Sequence, residues 1–159
     1  MGKKIIVSSI TVLLILICTI AGTYSVIINV TSDNGVNEIV NEIKIRDLVT
    51  DDNGNYNNIY YNVKNTLDIS EEEANILIDS EVLNDKLQIV LDSIVEYKVN
   101  NNSGAKMSND EIYNLIVDGV NSDNNINEEL RNKVISKSIV YKDDINTYLY
   151  DIEVSVFGG

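Results

Sequence analysis

Two patterns of apolar residues divide the chain. From Ile5 to Ser32 no charged side chain occurs, whereas beyond Asp33 apolar residues recur three and four apart among polar ones. A helix crosses the hydrocarbon core of a bilayer with roughly 20 mostly apolar residues at ~1.5 Å each. Ile5 to Ile28 supplies 24, densest from Ile10 to Ile17. The first pattern therefore predicts a transmembrane helix over residues 5–28. The second predicts a helical domain over residues 36–159, joined by a linker over residues 29–35.

Charge sets the direction of the span. Lys3 and Lys4 precede it, and Asp33, Glu38 and Glu42 follow it. Basic flanks stay on the cytoplasmic side, so residues 1–4 are expected inside and the domain outside the cytoplasm. A secretory signal cleaved after Ala21 is the rival reading, although its apolar core would exceed the usual 7–15 or so residues. Lipidation is disfavoured because Ile17 precedes Cys18, and a pilin-like start lacks its acidic residue. Small residues four apart, Cys18 with Gly22 and Ala21 with Ser25, give a face on which two spans could dimerise.

In the outer part, Val36, Ile39, Val40 and Ile43 predict a short helix over 36–49, and Tyr56, Ile59, Tyr60, Val63 and Leu67 a second. Ser70-Glu71-Glu72-Glu73 and Ser108-Asn109-Asp110-Glu111 are capping boxes, in which a Ser and a Glu three residues on close each other's backbone N–H groups. From Glu81 to Val99, Leu83, Leu87, Val90, Ile94 and Tyr97 form a stripe widened by Leu91 and Val95, the pattern of a central core-facing helix. Ile112 to Val120 gives the next. Leu130, Val134, Tyr141, Ile145, Leu149 and Ile152 extend a helical pattern interrupted by Ser138, while Tyr148 to Val156 alternates with period two and allows a terminal strand. The expected fold is all-α, one span followed by five or six helices.

Composition narrows the chemistry. The net charge is −13, and with Lys3 and Lys4 set aside the chain beyond Ser32 carries −15. Such a field disfavours nucleic acid and anionic headgroups and favours cationic partners. The single Cys rules out an internal disulfide. With no His, the usual zinc sites and every Ser-His or Cys-His nucleophile are excluded.

Three patterns remain as candidate chemistry. Asp51 to Asn55 is rich in Asp, Asn and Gly, and Asn121 to Glu129 in Asn, Asp and Glu, but neither makes an EF-hand. With Gly54 at the sixth position, Val49 would stand first and Tyr60 twelfth; the second run puts Ile126 at the glycine and Asn132 at the end. Paired carboxylates could cleave a glycosidic bond in an envelope polymer, yet only Asp118, between Val117 and Gly119, stands in an apolar setting. Tyr56, Tyr60 and Tyr61, and Tyr141, Tyr148 and Tyr150, are expected to pack at the core, with a recognition surface as the alternative. No catalytic, cofactor-binding or metal-ligating residue is assigned.

The stretch Asn58 to Glu73, the long helix after it, and Ile112-Tyr113-Asn114-Leu115-Ile116 resemble uncharacterised membrane proteins of AT-rich bacteria. The resemblance covers most of the chain and implies a span followed by an extracytoplasmic helical domain. It brings no activity, cofactor or site residue. The expectation is a non-enzymatic interaction or accessory module of the cell envelope, held in the bilayer by residues 5–28 and meeting an envelope protein. A carboxylate enzyme and a divalent-cation or polymer-binding domain are the alternatives.

Overall fold

A computed structural model describes residues 27–32, 44–99, 104–144 and 153–158. Between residues 44 and 144 the described elements are helices joined by turns and one isolated antiparallel bridge, Thr50 with Tyr56: α1 (Ile45–Val49), α2 (Asn58–Leu67), α3 (Glu71–Ile78), α4 (Glu81–Val99), α5 (Asn109–Ser122) and α6 (Glu128–Tyr141), with a 3-10 turn at Lys142–Asp144. Two short strands, β1 (Ile27–Ser32) and β2 (Glu153–Gly158), pair in parallel, with Ile27 opposite Glu153 and Asn29 opposite Ser155.

The helix starts follow their caps. Ser70 Oγ accepts the Glu73 N–H at 3.1 Å while the Glu73 carboxylate accepts the Ser70 N–H at 3.1 Å, and Ser108 and Glu111 repeat both bonds. Asn57 and Asn127 start α2 and α6 by accepting N–H groups one turn in. Both capping boxes and the central helix from Glu81 to Val99 thus stand where the sequence places them.

Helices this short are marginal in water, so packing must hold them. Leu77, Leu83, Leu87, Ile94, Ile112 and Leu130 are fully buried in one apolar cluster, each contributing about 1.5–3 kcal/mol by leaving water. α5 lies between α4 and α6, and α2 closes against α6. At Gly119 the backbone of α5 comes so near α4 that a Cβ would meet Leu83 Cδ2 at 2.8 Å. Buried Asn84 fastens α1 to the α3–α4 corner: its Oδ1 accepts the Ile45 N–H at 2.7 Å, and its Nδ2 donates to the Ile78 and Ser80 carbonyls. Ser138, which breaks the apolar face of α6, is buried and donates to the Val134 carbonyl one turn back.

Three boundaries differ from the sequence reading. Ile27 and Ile28, placed at the end of the span, are strand, as are Asn29 to Ser32 of the expected linker; β-branched residues there satisfy their backbone against β2. Lys44 is extended (φ −96°, ψ 153°), so of the helix expected over 36–49 the described part begins only at Ile45 and runs to Val49, while residues 36–43 lie outside the described residues. The cause is Asp47, which accepts the Lys44 N–H and makes that residue a cap. At the other end α6 stops at Tyr141, and the alternating tail yields β2 from Glu153.

The predicted span otherwise falls outside the described residues, as does the small-residue face at Cys18–Ser25. Among the described residues no helix is long and apolar enough to cross a membrane.

Candidate functional site

The two acidic turns are built alike locally and used differently. In the first, Asp51 Oδ1 accepts the N–H groups of Asn53 (2.9 Å) and Asn55 (3.0 Å), and its carbonyl accepts from Gly54. Gly54 takes the left-handed conformation that closes the turn (φ +82°). All of this is exposed. In the second, Asp123 is 7% exposed. Its Oδ1 accepts the Asn125 N–H, and its Oδ2 accepts the Ser80 hydroxyl, 43 residues away in sequence. Ser80 Oγ in turn accepts the Leu83 N–H, capping α4. Asp123 thus ties the α5–α6 loop to the start of the central helix and places negative charge at its positive end.

Asp118, which the sequence singled out as the carboxylate in an apolar setting, is exposed on α5. The period of the helix explains this: Ile116, Gly119 and Val120 take the buried face and leave Asp118 outward. The sequence offered one signal for Asp123, its place immediately after an amphipathic helix. Nothing in the sequence pointed to Ser80 as its partner.

The joint between Asp123 and Ser80 forms the floor of an open cleft of about 1070 Å³ between the start of α3, the α3–α4 corner and the α5–α6 loop. Five carboxylates line it: Glu71, Glu72, Asp79, Glu81 and Asp123. Asp79 is held by Arg46, whose Nε and Nη2 donate to it at 2.8–3.0 Å. The Tyr56 hydroxyl first, and Asp79 second, raise the Arg46 pKa and keep the guanidinium charged. Glu71, Glu72 and Glu81 face solvent. The cleft is therefore open, polar and negative.

Behind its α3 wall stand Tyr56, just before α2, and Tyr60 and Tyr61 on α2. Tyr56 stacks on Tyr60 with ring centroids 3.7 Å apart, and Tyr61 meets Tyr60 edge-on. The Tyr56 hydroxyl donates to Asn75 in the cleft wall at 2.7 Å. Tyr60 is buried, and its hydroxyl has no hydrogen-bond partner among the described residues. Burial first, then the negative charge of Glu71, pushes its pKa upward. Tyr61 alone of the three is exposed at the surface. Core packing, expected for this group, holds for Tyr60 and half-buried Tyr56; the second group falls outside the side chains described.

Chemically, the arrangement offers attraction for cations. Asp123 is the one buried carboxylate among the described residues, and the scaffold consumes both its oxygens. Acid–base work on a glycosidic bond needs a carboxyl free to trade its proton with substrate. No group of three Asp, Glu, His or Cys side chains that could hold a metal comes together among the described residues. Comparison with protein-family models, with curated proteins and with solved structures gives no match.

Proposed function

We propose that the chain is a membrane-anchored, extracytoplasmic helical module of the bacterial envelope that acts by binding a protein partner and not by catalysis. With Ile27 in a strand, the span shortens to residues 5–26, whose 22 residues cover roughly 33 Å as a helix and still suffice to cross. Lys3 and Lys4 keep the N-terminus in the cytoplasm. One observation carries the binding role: the buried carboxylate Asp123 is committed to structure, while the exposed ones line an open surface. A domain of charge −15 selects partners that present cationic segments.

The test uses the full chain in lipid nanodiscs, offered isolated cell-wall polymer and, separately, a labelled polylysine. Salt-sensitive polylysine binding with no soluble fragment released is the expected outcome. Fragment release that disappears on substitution of a cleft carboxylate would sink the reading. Placement is tested with Asn132→Cys in a Cys18→Ser background, labelled by a membrane-impermeant maleimide. Labelling of intact cells is expected, and labelling only after lysis contradicts it.

A further inference from the structure

The parallel pairing of the two ends of the described chain has a geometric consequence at the membrane. If the span ends near residue 26, as the proposed function holds, β1 begins where the chain leaves the bilayer. Ile27 is in register with Glu153. The two strands run in the same direction, so the start of β2 is level with the start of β1, and both lead away from the membrane.

We propose that the chain returns to the bilayer surface at Glu153, where β2 is seated at headgroup level beside the exit of the span. The partner of this surface is the lipid interface of the chain's own membrane. Charge does not draw it there. With −15 beyond Ser32 the domain is repelled by an anionic bilayer, so what holds Glu153 at the surface is the backbone ladder to β1. The domain is tied at both of its ends and does not trail from a single linker.

The chain contains no Trp, so each introduced Trp reports alone. Full chains carrying Ile15→Trp, Ile27→Trp or Glu153→Trp are placed in nanodiscs with nitroxides on the acyl chain or on the headgroup. Trp at 153 is expected to lose roughly half its emission to headgroup nitroxides, as Trp at 27 does, and Trp at 15 to be quenched from the acyl chain. Quenching at 15 and 27 without quenching at 153 overturns the inference and leaves the anchor standing. Absence of quenching at 15 overturns the anchor and the inference with it.

Because a Trp could disturb so short a ribbon, a second measurement is independent of it. Asn29→Cys with Ser155→Cys, in a Cys18→Ser background, places two thiols on paired positions. Oxidation in the membrane is expected to yield an intramolecular disulfide. Free thiols under oxidant would show that the strands do not pair and overturn the inference.

Discussion

The turns at Asp51 and Asp123 begin from the same chemistry, an Asp accepting the N–H two residues on, and end in different places. The first spends its carboxylate within five residues and stays in solvent. The second spends one oxygen locally and sends the other across the fold to Ser80. A local hydrogen bond can be read from residue types; a tertiary one needs to know which surfaces meet. The difference should also be energetic, since an exposed polar contact is replaced by water on removal and a buried one is not.

The largest effect is therefore expected from Asp123→Ala, which strips partners from a buried hydroxyl and a backbone N–H together. A loss of about 3 kcal/mol is predicted, read as a lower urea midpoint of the helical signal. A cost below about 1 kcal/mol would place Asp123 with Asp51 and erase the contrast. Next comes Ser80→Ala, about 1–2 kcal/mol through loss of the cap on α4. Combined with Asp123→Ala it should cost clearly less than the sum, with a coupling of about 1 kcal/mol; strict additivity would mean the two side chains act apart.

Tyr60 sharpens the comparison from the other side, as a buried polar group with no hydrogen-bond partner among the described residues. Tyr60→Phe removes a stranded hydroxyl and keeps the stacked ring, so stability is expected to hold or rise by about 1 kcal/mol. Its folded pKa lies above the ordinary value of about 10. Stability from that shift is whole below about pH 10 and is lost as pH climbs through the folded value. The Phe variant should lose less stability than the parent in an alkaline titration, and an equal loss would show that Tyr60 does not titrate with unfolding. The smallest change is predicted for Asp51→Ala, about 0.5 kcal/mol, as for an exposed turn.

The same contrast marks how far the sequence carries. Ser70, Ser108 and the stripe from Leu83 to Tyr97 announce their helices because caps and period act within a turn or two. Lys44 was misjudged because a single Asp47 side chain overrode an apolar period, and Ile27 and Ile28 because a strand partner 126 positions later in the register decides their state. The cleft was not legible at all. Its walls come from α3, the α3–α4 corner and the α5–α6 loop, and only packing brings Glu71 near Asp123. Asp118 misled for a related reason: its neighbours in sequence are apolar, but its neighbours in space are water.

Gly119 bears on how the helical body can move. With Leu83 seated where a Cβ would stand, sliding α5 along α4 by part of a turn would bring a side chain other than glycine's against α4. Shear between these helices is blocked at that crossing. The α4–α5 pair is then a fixed beam, and because Ser80 at the head of α4 is bonded to Asp123 in the loop after α5, the two sides of the cleft are held against that beam at a set spacing.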